Sequence, residues 1–190
     1  MALWRSAAGQ VQAWADRCPH RGVPLSLGRI KGERLACAYH GWEYVAGSGR
    51  CVAISALPDQ PVPGKVCVKT FAALERQGMV WVNLRPDAAT DAPPSDNPAP
   101  TFFLRTLGIN AATGRLDSTL AALGYLHNAP RQWSGTLDGH AVRLFTLAAC
   151  ADLCLLHLAC DTEPSRQALP ALFGAIRLLR SAIETATTSV

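Results

Sequence analysis

Hydrophobic positions in the first 84 residues form short runs of branched and aromatic side chains, and glycine or proline interrupts each run after a few positions. Such runs stand at residues 34–39, 66–71 and 79–84. Short apolar runs bounded by turn-forming residues are typical of β-strands in a sheet with many tight connections. The pattern predicts a small, all-β first region that is rich in loops.

The pattern changes after residue 100, where strand and helix periods alternate. Residues 101–109 are predicted as a strand, and residues 116–127 as a short helix with Asp117 or Ser118 near its N-cap. The Asp138-Gly139 dipeptide predicts a hairpin turn between two further strands. Near the C-terminal end, apolar residues recur at intervals of three and four, which is typical of a helix with one buried face: Leu169, Leu172, Phe173, Ile176, Leu179 and Ile183. The second region is predicted to be α+β.

Between the two regions, residues 85–100 contain five prolines and four residues of Asp or Asn type, with no hydrophobic period. We therefore predict a first domain over residues 1–84, a linker over residues 85–100 and a second domain over residues 101–190.

Composition and charge narrow the classes of partner. The chain is 49% hydrophobic and carries a net charge of +4, of which residues 1–84 contribute ten Lys and Arg against five Asp and Glu. This excess is too dilute for a nucleic-acid surface. The longest apolar run, residues 144–160, contains Asp152 and His157 and is shorter than the roughly 20 residues of a membrane span. We expect neither nucleic acid nor membrane as a partner.

The N-terminus lacks the apolar stretch of a signal peptide, so we expect a cytoplasmic location. In a reducing compartment, seven cysteines point to metal ligation rather than to disulfides.

Two short motifs carry the candidate chemistry: Cys-Pro-His at residues 18–20 and Cys-Ala-Tyr-His at residues 37–40. Two sulfurs and two imidazole nitrogens suit either zinc or a 2Fe-2S cluster in which histidines replace two cysteines. Zinc modules usually keep like ligands in one short pair, whereas each motif here holds one of each. This alternation favours a cluster with Cys18 and Cys37 on one iron and His20 and His40 on the other.

With the flanking Arg21-Gly22, Gly41-Trp42 and Gly49-Arg50-Cys51, residues 3–84 resemble the Rieske domain of the oxygenase (α) components of Rieske non-haem iron oxygenases, which hydroxylate aromatic rings or demethylate. The resemblance implies an all-β Rieske domain, a small antiparallel β-sandwich with cluster-binding loops, followed by a reduced α+β C-terminal domain. It implies a 2Fe-2S cluster on Cys18, His20, Cys37 and His40, and a reductase or ferredoxin as electron donor.

Departures from related families refine these expectations. Respiratory Rieske proteins have two disulfide-forming cysteines at the positions where this chain has Val23 and Tyr39. They also have a serine that donates a hydrogen bond to cluster sulfur at the position where this chain has Trp42. Fewer donors imply a reduction potential toward the low end of the Rieske range of about −150 to +300 mV.

Full-length oxygenases also hold a mononuclear iron on two closely spaced histidines and a carboxylate. After the linker this chain has only His127, His140 and His157, well apart, so we expect no mononuclear non-haem Fe(II) here and consider an iron-bearing oxygenase chain as a partner. The catalytic residues stay unknown.

Two alternatives remain open. One is a self-sufficient oxygenase whose unusual iron site uses those histidines with Asp117 or Asp138. The other is a degenerate Rieske-fold binding or regulatory module, with zinc in the S₂N₂ site. A second metal site would need Cys150, Cys154, His157 and Cys160 on one helical face. We favour a strand there, on which His157 points away from Cys154 and Cys160, so that these cysteines are small buried side chains.

Overall fold

The computed structural model describes residues 1–85 and 102–186, and the chain divides into two compact units, residues 1–92 and 93–190. Nearly all of the predicted linker, residues 85–100, lies outside the described residues. In the part of the chain that is described, no helix is long and apolar enough to cross a membrane. Each unit is taken by itself below.

Unit 1 contains two four-stranded antiparallel sheets. The first sheet has the order β1-β2-β7-β8 and the second the order β3-β4-β5-β6. The strands are β1 (Ala2–Arg5), β2 (Val11–Trp14), β3 (Arg29–Lys31), β4 (Arg34–Ala36), β5 (Glu43–Val45), β6 (Cys51–Ala53), β7 (Thr70–Arg76) and β8 (Met79–Asn83), with a 3₁₀ turn at Leu25–Leu27. The all-β prediction for this region is confirmed.

Both sheets contribute side chains to one core. Trp4 and Trp14 of the first sheet meet edge to face with ring centroids 4.9 Å apart, and Leu35 and Tyr44 come from the second sheet. The predicted run at residues 34–39 forms strand only over Arg34–Ala36, because the chain then turns into a loop. Residues 66–71 form strand only from Thr70 onward, apart from a single bridge between Cys67 and Arg50.

The first sheet is weakly joined at its middle. Strands β2 and β7 pair only at Ala13 with Phe71 and at Trp14 with Thr70. Beyond these two pairs an open groove of about 570 Å³ lies between the strands. The two halves of this sheet are therefore connected by few backbone hydrogen bonds.

Unit 2 is a five-stranded antiparallel sheet with two helices. The sheet order is β10-β11-β12-β13-β9. Its elements are β9 (Phe102–Ile109), α1 (Thr113–Ala122), β10 (Leu126–Ala129), β11 (Gln132–Leu137), β12 (His140–Cys150), β13 (Leu153–Cys160) and α2 (Leu169–Thr185). The predicted hairpin turn is confirmed, since both Asp138 and Gly139 have positive φ between β11 and β12. The apolar face predicted for the last helix is also confirmed, because Leu172, Ile176, Leu179 and Ile183 are buried.

Helix α1 departs from the prediction. It covers Thr113–Ala122 rather than residues 116–127, and its N-cap is Ala112 without a side-chain hydrogen bond. Asp117 and Ser118 therefore lie inside the helix and do not cap it. The helix ends early because Gly124, with φ of 84°, takes the left-handed conformation that stops a helix, and the following residues join β10.

Candidate metal centre

The two predicted ligand motifs fold into loops with the same hydrogen-bond pattern. The N–H of Cys18 donates to the carbonyl five residues later at 2.9 Å, and the N–H of Gly22 donates back to the Cys18 carbonyl at 2.8 Å. In the second loop, the N–H of Cys37 donates to the Trp42 carbonyl at 2.9 Å, and the N–H of Gly41 donates to the Cys37 carbonyl at 3.1 Å. Both glycines have positive φ, which lets the chain reverse without strain. Each loop thereby presents a cysteine at its start and a histidine near its tip.

The two thiols are buried next to each other. Cys18 and Cys37 are each 3% exposed, and their side chains interact directly. Burial is the main cause that raises the pKa of the Cys37 thiol, and the neighbouring Cys18 raises it further, against opposing backbone N–H groups. A bound metal cation would offset this effect by taking both sulfurs as thiolates.

The two imidazoles lie side by side at the surface. The ring centroids of His20 and His40 are 4.8 Å apart. The ring of Trp42 stacks on His20 at 4.3 Å and 7°, and Tyr39 lies 3.8 Å from His40. Desolvation lowers the pKa of His20, and the charges of His40 and Arg21 lower it further. The neutral ring that results is the form that binds metals.

Tyr44 is a residue of this site that the sequence analysis missed. Its buried hydroxyl lies 3.1 Å from the Cys18 sulfur. A metal-bound thiolate can only accept, so the hydroxyl would then be the donor. Burial, and next the contact with Cys18, raise the pKa of the Tyr44 hydroxyl, which keeps it protonated. Strand alternation marks Tyr44 as the inward-facing residue of β5, but it does not show that the residue meets Cys18.

This donor set fits a two-iron cluster better than a single ion. A tetrahedral zinc would gather all four donors at one point, whereas a 2Fe-2S cluster with mixed ligation needs one sulfur pair and one nitrogen pair. The paired thiols and paired imidazoles match the second requirement.

The histidines of unit 2 are dispersed over three strands. His127 lies on β10, His140 begins β12 and His157 lies on β13. The Nδ1 of His140 contacts the Asp138 carbonyl at 2.8 Å, and the Nδ1 of His157 contacts the Thr106 hydroxyl at 2.8 Å. Each of these two rings is thus engaged locally, and the structure brings none of the predicted iron-site combinations together among the described residues.

The second cysteine group follows the strand interpretation. Cys154, His157 and Cys160 all lie on β13, where the cysteines are buried and His157 is half-buried. The Cys154 thiol donates to the Ala111 carbonyl at 3.2 Å, and Cys150 is exposed. All seven cysteines are free thiols. The strand prediction for this segment is confirmed, and it puts His157 on the opposite side of β13 from Cys154 and Cys160.

Comparison with known proteins identifies the domain. Residues 1–72 match the family model of the Rieske [2Fe-2S] domain, so unit 1 contains a Rieske domain, and the cofactor of that domain is a 2Fe-2S cluster. Oxidoreductase NdmD of Pseudomonas putida is 46% identical over 84 residues, which are 44% of this chain and 14% of that protein. The vanillate O-demethylase oxygenase subunit of Pseudomonas sp. (strain HR199 / DSM 7063) is 43% identical over 82 residues, 43% of this chain and 22% of that protein. The chain thus spans less than a quarter of either relative.

Solved structures extend the likeness to the second unit. Dicamba monooxygenase bound to dicamba superposes with a TM-score of 0.66 at 18% identity, covering 96% of this chain and 77% of that one. NdmB of Pseudomonas putida CBB5 gives 0.65 at 21% identity, covering 99% and 75%. These identities establish the fold alone: a Rieske domain followed by a small α+β region, as the sequence predicted.

Proposed function

We propose that this protein is a cytoplasmic electron-transfer component of an oxygenase system. Cys18 and Cys37 would bind one iron of the 2Fe-2S cluster, and His20 and His40 the other. When bound, the cluster would supply one-electron redox chemistry between a reductase or ferredoxin and an oxygen-activating non-haem iron. The observation that carries the proposal is the pairing of two buried thiols, and of two surface imidazoles, on two loops with the same hydrogen-bond pattern.

Residues around the proposed cluster site would have separate roles in electron transfer. The buried thiols exclude water from the inner side of the site. With Cys18 bound as a thiolate, the Tyr44 hydroxyl, 3.1 Å away, would donate to the sulfur and stabilise its negative charge. On the outer side, His40 is exposed and His20 half-exposed, so an electron can enter or leave over a short distance. Trp42 and Tyr39 fix the orientation of the two rings by packing on them.

Oxygen chemistry would take place on another, iron-bearing chain. In a cluster with four protein ligands, the coordination positions of both irons are filled, so none is open to oxygen or substrate. The described histidines of unit 2 do not converge. Reduced, cluster-loaded protein should therefore form no hydroxylated or demethylated product from aromatic substrates until an iron-bearing oxygenase chain is added. Unaided turnover that His140→Ala or His157→Ala abolishes would establish the self-sufficient alternative instead.

The decisive experiment is metal and sulfide analysis of anaerobically purified protein. We expect about two irons and two acid-labile sulfides per chain. The His20→Ala variant should lose both, while the matched His127→Ala variant in unit 2 should keep both. One zinc per chain without sulfide would support the regulatory module and contradict the electron-transfer role.

A further inference from the structure

A groove beside the imidazole pair carries an uncompensated positive charge. This groove, of about 560 Å³, is lined by His20 together with Arg17, Arg21 and Lys69. All three cations are exposed, and among the described residues none of them has a carboxylate partner. The Lys69 ammonium lies over the Phe71 ring, 5.3 Å from its centroid. Three cations thus border the exposed edge of the proposed cluster site.

Four of the five acidic side chains of residues 1–84 have partners outside the groove lining. Glu75 pairs with Arg5 at 2.7 Å, and Glu43 pairs with Lys31 and Arg34 at 2.7 and 3.2 Å. Other carboxylates accept backbone or hydroxyl hydrogens: Asp16 from Ser26, and Glu33 from the N–H of Ala8. The groove lining itself contains no acidic residue, so the charge of its three cations is not offset within the groove.

An exposed aromatic residue extends the same surface on the other side. Tyr39 is 63% exposed, and its ring lies 3.8 Å from His40, which in turn lies 4.8 Å from His20. A continuous surface therefore runs from Tyr39 across both imidazoles to the basic groove. Exposed aromatic and arginine side chains are the residue types most enriched at the energetic centres of protein interfaces.

We propose that this docking surface, consisting of Arg17, His20, Arg21, Tyr39, His40 and Lys69, binds an electron-donor protein with an acidic surface around its own redox centre. The inference rests on the proposed function and adds the place of docking and the charge of the partner. Carboxylates of the donor would lie over the groove and steer it, while Tyr39 provides a contact that excludes water beside the imidazoles. Three cations around a redox edge suit a compact acidic protein rather than a nucleic acid, which needs an extended basic stripe.

Lys69 offers the sharpest test, because it lines the groove and is separated in sequence from every proposed ligand. We would measure the Kd between cluster-loaded full-length protein and an acidic plant-type [2Fe-2S] ferredoxin, both oxidised, so that binding is read without electron transfer. At low salt, Lys69→Glu should weaken binding about tenfold and Lys69→Gln by less. The difference should shrink as ionic strength rises. Tyr39→Ala should weaken binding at every salt concentration.

Arg177→Glu is the matched control, since it makes the same charge change at an exposed position of α2 in unit 2. It should leave Kd within twofold of the wild type. Equal affinities for Lys69→Glu and Arg177→Glu, no measurable binding, or tighter binding of a single-stranded oligonucleotide than of ferredoxin would each overturn the docking surface. Visible circular dichroism checks that the variants keep the cluster. Missing iron and sulfide would instead indicate failure of the proposed function.

Discussion

Unit 1 buries thiols, a tyrosine and two tryptophans among loops and strands, and most of these strands are three or four residues long. Unit 2 instead buries mainly aliphatic side chains, and its elements include a 17-residue helix and an 11-residue strand. Leu116, Leu144, Leu156 and Ile176 are all fully buried in unit 2. A small loop-rich unit buries too little apolar surface to be stable by packing alone, and a metal commonly makes up the difference. We therefore expect unit 1 to depend on its metal centre for stability, and unit 2 to depend on the packing of apolar side chains.

The largest effect should come from removing a proposed ligand. Cys37→Ala leaves three donors, so the cluster should be lost and with it most of the stability of unit 1, on the scale of about 10 kcal/mol that structural metals contribute to small folds. Calorimetry should show the transition of unit 1 disappear while that of unit 2 stays. The exposed Cys67→Ala is the control and should change neither transition. A Cys37→Ala protein with the wild-type melting curve would remove the distinction between the units.

A core truncation in unit 2 should give the reverse result. Ile176 is fully buried on α2, so Ile176→Ala should cost about 2 to 5 kcal/mol of unfolding free energy in unit 2. The visible absorbance of the cluster should melt as in the wild type. Leu178 on the same helix is 73% exposed, and Leu178→Ala should cost less than about 0.5 kcal/mol. Equal losses for the two variants would show that α2 is not packed by the face described.

A subtler test addresses the polar part of the core of unit 1. Tyr44→Phe keeps the ring but removes the hydroxyl that meets the Cys18 sulfur, which should cost about 1 kcal/mol of stability. It should also lower the reduction potential, because one donor to a cluster thiolate is lost. Tyr39→Phe, at the exposed tyrosine, is the matched control and should leave the potential unchanged in protein-film voltammetry. An unchanged potential in both variants would mean that the hydroxyl does not act on the cluster.

The smallest effect concerns a surface ion pair of the second sheet. Hydrogen bonds from Lys31, and then Arg34, hold the pKa of Glu43 below its usual value of 4.5. The stabilisation is therefore full above that usual value and is lost as pH falls through the lowered pKa. Glu43→Gln should cost about 0.5 to 1 kcal/mol at pH 7 and nothing in strong acid, followed by chemical denaturation. Asp59→Asn, which removes a carboxylate at an exposed position, is the charge-matched control and should cost less than about 0.5 kcal/mol at pH 7.

Short-range sequence signals predicted several secondary-structure elements of this protein. The Asp138-Gly139 turn and the buried face of α2 follow from short-range backbone and periodicity rules, and they agree with the structure. Helix α1 was misplaced because the pattern of apolar residues continues past Gly124, whose left-handed conformation ends the helix. Tyr44 was missed because its role depends on a contact with a residue 26 positions earlier, which no local period encodes.

The sequence spacing of the site also bears on the order of folding. All four proposed ligands and Tyr44 lie within residues 18–44, and each ligand loop is closed by bonds that span four or five residues. The first sheet, in contrast, is completed only when Ala13 meets Phe71 and Trp14 meets Thr70. Contacts of short sequence separation form sooner than distant ones, and N-terminal segments emerge first from the ribosome. The ligand loops can therefore form on a nascent chain before β7 has been synthesised.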